Sequence, residues 1–204
     1  MPDRCLVIGN HNYSSWSLRP WLVLRGIGAP FETLRIPLDQ PETKDRIQEH
    51  SPAGRVPVLL EDGLVVWESS AIIEHLAESH SGFWPADTAA RAMARSISAE
   101  MHSGFTALCD ALPMNVRATG RRVEASAHVR ADIARIVAIW ETARARFGEG
   151  GPWLFGAWSA ADAMYTPVAS RFRTYGVDLP AAAAAYRDTA LDSPAMRDWA
   201  SLAE

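Results

Sequence analysis

Three short polar segments hold the residue types that chemistry needs. The first, Asn12-Tyr13-Ser14-Ser15-Trp16-Ser17, follows an apolar run and precedes a helical pattern. A serine or asparagine at such a junction can act as N-cap, its oxygen accepting a first-turn N–H. One cap needs one side chain, and this segment supplies three serines within four residues. A helix N-terminus also presents unpaired N–H groups and the positive end of its dipole, which favour an anion. A serine hydroxyl aimed at a ligand thiol there would hydrogen-bond the thiolate and lower its pKa.

The second segment is Gly54-Arg55-Val56-Pro57-Val58-Leu59, with a proline inside a strand pattern. Proline has no ladder N–H, so the strand is an edge or the proline has a special role. Such an edge leaves the Val56 backbone open to an extended, peptide-like ligand. In the third, Trp67-Glu68-Ser69-Ser70-Ala71-Ile72-Ile73, Glu68 and Ser69 stand where a strand ends and a helix opens. They are caps, or else a carboxylate for a ligand ammonium beside a hydroxyl and helix N–H groups for a ligand carboxylate. A thiol-directed hydroxyl, a backbone clamp and an amino-acid clamp suit a small anionic peptide carrying a cysteine.

The elements that must position these segments change in kind along the chain. Up to about residue 80, strands and helices alternate. Cys5–Gly9 is an apolar run of the kind a buried parallel strand shows, and Ser14–Gly28 has helical spacing. Phe31–Ile36 reads as a strand, Thr43–Glu49 as a short helix, and Val56–Leu60 and Leu64–Trp67 as two further strands. The turn between them, Asp62-Gly63, is a strong hairpin signal. Ser69–Ser79 closes the unit as a helix. Beyond Phe83-Trp84-Pro85 only helical patterns occur, at Ala89–Arg117, Ala125–Phe147, Ala160–Arg173 and Ala195–Leu202, and the alanine run at 181–185 is most simply a helix. The expected domains are 1–81 and 88–204, joined around Gly82–Asp87.

The 204 residues are 48% hydrophobic and 22% charged, which excludes global disorder and fibrous architectures. A net charge of −4 argues against a binder of nucleic acid. No apolar stretch reaches the roughly 18 residues of a membrane span. Met1-Pro2-Asp3-Arg4 leads straight into the first strand without the features of a signal peptide, so a cytoplasmic location is expected. Cys5 and Cys109 lack metal-ligand or disulfide spacing and read as buried free thiols, with no metal expected. Lys44 is the sole lysine, the other basic residues being arginine. Codon bias explains that excess, as does a need for bidentate anion recognition at a few positions.

Taken in order, these motifs resemble the soluble glutathione transferases over essentially the whole chain. Arg55-Val56-Pro57-Val58-Leu59 resembles that family's cis-proline segment, and Glu68-Ser69-Ser70-Ala71-Ile72 its glutamate–serine motif. Ser159-Ala160-Ala161-Asp162 is similar to the capping box of its helical domain. Ser14-Ser15-Trp16-Ser17-Leu18-Arg19 resembles the Ser-Ser-Cys-Ser-x-Arg motif of the zeta class, with Trp16 in the cysteine position. The resemblance implies an α/β thioredoxin-like N-terminal domain followed by an all-helical C-terminal domain.

It also implies glutathione as co-substrate and a homodimer. Ser14 would activate the glutathione thiol with Ser15 beside it, and Tyr13 is the rival activator. Val56, followed by Pro57, would clamp the cysteinyl part. Glu68 and Ser69 would hold the γ-glutamyl end, and Arg55 or His50 would reach the glycyl carboxylate. A second-substrate pocket between the domains would involve Trp16, Met101, His102, Phe105, Arg117 and Arg171. Of these, Met101 and Phe105 keep core spacing, while His102 and Arg117 fall off that face. Arg171 reads as an anion contact or a solvated helix end. The activity implied is transfer of glutathione to a small hydrophobic electrophile, in a detoxification role. The alternatives are a maleylacetoacetate isomerase-like cis–trans isomerase and a non-catalytic binding or regulatory protein on the same fold.

Overall fold

Alternation along the first strands decides which face meets which helix. β1 (Arg4–Ile8), β2 (Glu32–Arg35), β3 (Val58–Glu61) and β4 (Leu64–Trp67) form one sheet in the computed structural model, which describes residues 4–204. The expectation for Met1, Pro2 and Asp3 lies outside the described residues. The strand order is β2-β1-β3-β4, with β1 and β2 parallel and the other two pairings antiparallel. The parallel pair is joined by α1 (Ser15–Gly26), the crossover helix such a pair requires. Leu6, Ile8 and Leu59 enter the main core, whereas Val7 and Val58 point to the other face and pack with Ile36 and Ile47. Ile47 comes from α2 (Thr43–Gln48), so both faces of the sheet are covered.

β3 and β4 are joined through Asp62 (φ 49°) and Gly63 (φ 81°). Positive φ at both central residues is what a two-residue hairpin turn of the right twist demands. The expected strand at Val56–Leu60 is shorter: pairing starts at Val58, and Pro57 lies ahead of the ladder after a cis Val56–Pro57 bond. β3 is an interior strand, not an edge, and the proline is accommodated because it is outside the paired register. α3 (Ser69–Ser79) completes this part of the chain.

The rest is helical: α4 (Thr88–Ser103), α5 (Thr106–Ala111), α6 (Ala127–Phe147), α7 (Ala160–Thr174), α8 (Ala181–Asp192) and α9 (Pro194–Ser201). The single helix expected at Ala89–Arg117 is broken. Gly104 caps α4 with its N–H on the Glu100 carbonyl at 2.9 Å, and Phe105 turns left-handed at φ 58°. A bulky residue holds that conformation only where its surroundings enforce it. Phe105 is buried, and Asp132 of α6 accepts the Leu108 N–H at 3.0 Å, capping α5 from a distant part of the chain.

α7 is buried along almost its whole length and packs on α1, α4 and α8, joining the two parts of the molecule. Its start carries the expected capping box: the Ser159 N–H donates to Asp162 Oδ2 at 2.8 Å, and the Ser159 hydroxyl to the same oxygen at 3.0 Å. α9 returns to the sheet end, where Trp199 Nε1 donates to the His11 carbonyl at 2.7 Å. Cys5 and Cys109 form no disulfide and are half-buried where full burial was expected. Among the described residues, no helix is long and apolar enough to cross a membrane.

Candidate active site

The loop from Gly9 to Ser14 is held from both parts of the molecule. Asn10 Oδ1 accepts the Leu38 N–H at 2.7 Å, and Asn12 Oδ1 accepts the Arg117 N–H at 3.1 Å. The serines that follow divide the work. Ser17 is fully buried and accepts the Gly9 N–H at 3.1 Å; its oxygen lies 2.7 Å from Ser14 Oγ. Ser15 accepts from Arg171 Nη2 at 3.1 Å. Ser14 occupies the N-cap position of α1, yet its hydroxyl caps nothing. A buried hydroxyl at a helix N-terminus, held by a second hydroxyl, remains able to donate to an anion.

A cavity of about 450 Å³ opens beside this helix end, lined by Trp16, Arg55, Val56, Pro57, Glu68, His102 and Ser103. It thus gathers residues from α1, the loop before β3, the start of α3 and the end of α4. Glu68 is the N-cap residue of α3, held at φ 70° and ψ 128° with an exposed side chain. A non-glycine residue there carries strain of about 1–3 kcal/mol, which the surrounding structure must impose. Next to it, Ser69 is fully buried and its hydroxyl has no partner. An unpaired buried hydroxyl at a helix N-terminus is costly unless a ligand satisfies it.

The other expected site residues are dispersed. Tyr13 is 55% exposed on the loop, and His50 is half-buried, its N–H on the Ile47 carbonyl at 3.0 Å. Met101 and Phe105 are buried in the main core. Arg117 is exposed. Arg171 is not a solvated helix end. It is buried, and donates to the Cys109 and Leu112 carbonyls at 3.0 and 2.5 Å as well as to Ser15. It therefore ties α7 to α5 and to the serine loop.

Two residues with site geometry were passed over by sequence reasoning. Ser103 lines the cavity. Arg19 is 2% exposed, its guanidinium stacks on the Trp16 ring at 4.0 Å, and its Nε and Nη1 have no partner. Burial pushes the Arg19 pKa down to about 10, so it stays charged at neutral pH. The signal was present in the spacing, since Arg19 lies one helical turn after Trp16. Burial, then the Arg19 charge, lower the His102 pKa against the opposing pull of Glu68. Among the described residues, no group of three or more His, Cys, Asp or Glu side chains could hold a metal ion.

A four-stranded sheet backed by helices, with a proline-led strand beside a serine-bearing helix end, and a trailing helical domain define a thioredoxin-like fold followed by an all-helical domain. Residues 13–79 match the glutathione S-transferase N-terminal domain and residues 123–200 the glutathione S-transferase C-terminal domain. The chain belongs to the glutathione S-transferase family. A curated relative, a probable maleylacetoacetate isomerase of Caenorhabditis elegans, is 38% identical over 96 residues, which are 46% of this chain and 44% of the relative. The match thus spans less than half the length of that relative. A glutathione transferase homolog from Burkholderia gl BGR1 with bound glutathione is 24% identical, with a TM-score of 0.74 over 98% of this chain and 96% of that one. A theta class glutathione S-transferase from Xanthomonas axonopodis pv. citri, also with glutathione bound, is 21% identical, with a TM-score of 0.71 over 98% of each chain.

Proposed function

We propose that this protein binds glutathione against the cavity, activates its thiol with Ser14 and delivers the thiolate to a small hydrophobic electrophile. The observation that carries this reading is the unpartnered, fully buried Ser69 hydroxyl at the start of α3, beside the exposed carboxylate of Glu68. That pair matches a ligand with an ammonium and a carboxylate on one carbon, as the γ-glutamyl end of glutathione has. Val56, outside the β3 ladder, meets the peptide portion, and Arg55 or His50 the glycyl carboxylate. A free thiol has a pKa of about 8.5, and each unit by which Ser14 and the helix end lower it stabilises the thiolate by about 1.4 kcal/mol. Met101 and Phe105 are held in the core and Arg171 in its buried tie, so of the expected pocket residues only Trp16 and His102, which line the cavity, belong to the second-substrate side of this reading. It makes the protein a homodimeric cytoplasmic detoxification enzyme with domains at 1–81 and 88–204.

The 38% identity to a probable maleylacetoacetate isomerase supports a second reading. In it the same thiolate adds reversibly to a double bond, and isomer turnover proceeds without net consumption of glutathione.

Titration calorimetry at millimolar glutathione tests the binding reading. Heat of binding is expected for the wild type, and Ser69→Ala should weaken affinity about tenfold, the loss of one charge-assisted hydrogen bond. No detectable binding to the wild type overturns it.

A further inference from the structure

His102 stands on the last turn of α4 and lines the cavity opposite no hydrogen-bond partner that would use it up. Its Nε2 lies 3.9 Å from Glu68 Oε2, within ion-pair range but too long for a hydrogen bond. Its Nδ1 is buried with no partner, and its ring meets the Trp16 indole edge-on, with centroids 5.2 Å apart and planes at 80°. The charged groups acting on it are Arg19 from α1, beneath Trp16, and Glu68 from the start of α3. Burial and Arg19 keep the imidazole neutral at neutral pH, so it carries one N–H. The carboxylate beside Nε2 assigns that proton to Nε2, because the buried Nδ1 has nothing to donate to.

We infer that His102 is a catalytic residue whose Nε2–H donates to the oxyanion formed when the thiolate adds to a conjugated carbonyl compound. The inference rests on the glutathione reading above. Thiolate sulfur forms a bond to the β-carbon, and the electron pair of the carbon–carbon double bond moves to give an enolate, its charge on oxygen. His102 stabilises that oxygen by a hydrogen bond from a neutral imidazole. The enolate then takes a proton from water at the α-carbon, giving a thioether and a hydroxide that takes up the proton released when the thiol ionised. Alternatively it re-forms the carbonyl, after rotation about the former double bond, and expels the thiolate, giving the isomer. Trp16 offers a flat aromatic surface on which a conjugated plane can lie. When glutathione engages Glu68 through its ammonium, the carboxylate no longer competes for the Nε2 proton. An alkyl halide develops no oxyanion, since the halide leaves with the electron pair, and gains nothing from His102.

The experiment compares two probes, 4-phenylbut-3-en-2-one and benzyl chloride, in wild-type protein, His102→Phe and His102→Gln, with glutathione binding followed by calorimetry in each. The ratio of kcat for the enone to kcat for the halide is expected to fall about 100-fold in His102→Phe, the loss typical of one oxyanion donor. His102→Gln, which keeps an N–H donor, should recover part of that ratio, as a purely structural role would not allow. Equal losses on both probes overturn the inference, as does a wild type that conjugates the halide and leaves the enone untouched. Absence of glutathione binding in the wild type is a different failure, that of the glutathione reading itself.

Discussion

The hydroxyl oxygens of Ser14 and Ser17 lie 2.7 Å apart, and Ser17 also accepts the Gly9 N–H. Ser17 thus has an acceptor site filled by the backbone, and its own proton is free to go to Ser14. In that arrangement the Ser14 proton is left for an incoming anion at the α1 N-terminus, and the second serine primes the first.

This pairing orders two substitutions. Ser14→Ala should leave glutathione affinity within a few-fold and raise the pKa of the bound thiol, read from thiolate ultraviolet absorbance against pH. Ser17→Ala should raise it by less, because Ser14 remains but loses its orientation. Tyr13, 55% exposed on the loop, should give no shift when changed to Phe. A shift on Tyr13→Phe, with none on Ser14→Ala, would assign activation to the tyrosine.

Asp162 is fully buried and collects the Leu154 N–H at 3.1 Å, the Ser159 N–H at 2.8 Å and the Ser159 hydroxyl at 3.0 Å. Asp162→Ala leaves three buried donors unsatisfied and should cost about 3 kcal/mol or more in urea unfolding; Asp162→Asn, which keeps an oxygen acceptor, should cost less. Burial outweighs those donors and pushes the Asp162 pKa up to about 6. A raised carboxyl contributes stability that is full below its ordinary pKa near 4 and lost as pH rises through about 6. Asp162→Asn should remove that slope.

Glu61 has the opposite sign. It pairs with Arg4, and the His75 Nε2 lies 2.8 Å from its Oε2. Burial pushes its pKa up, but the hydrogen bonds from His75 and Arg4 and the Arg4 charge outweigh it and hold the carboxyl below its ordinary range. Its stabilisation is therefore present above about pH 4 and lost as pH falls through the lowered folded value. Glu61→Gln strands a buried Arg4 and should cost about 3 kcal/mol at neutral pH. The gap between wild type and variant, followed by urea unfolding at successive pH values, should close toward acid.

Features specified within a few residues were legible before folding. The Asp62-Gly63 hairpin needed only two residues tolerant of positive φ. The Ser159–Asp162 box needed only a cap and its reciprocal acceptor. The change from alternating strands to helices followed from hydrophobic period, and Ser14, Val56, Glu68 and Ser69 stood out by residue type at the junctions of those elements.

What depended on distant partners was not legible. The break at Gly104-Phe105 is held by Asp132 on another helix, and the interior position of β3 by strands on both sides of it. Arg171 reads in sequence as a solvated end or an anion contact, and becomes a buried tie only because the Cys109 and Leu112 carbonyls and Ser15 are brought to it. Arg19 likewise looks like any helical arginine until Trp16 covers it and α7 closes against α1. The amino-acid sequence by itself determined period, caps, turns and the chemical types available to the site. Tertiary structure alone decided which polar groups lose water and which neighbours replace it, because that cost is set by burial and not by chain neighbours.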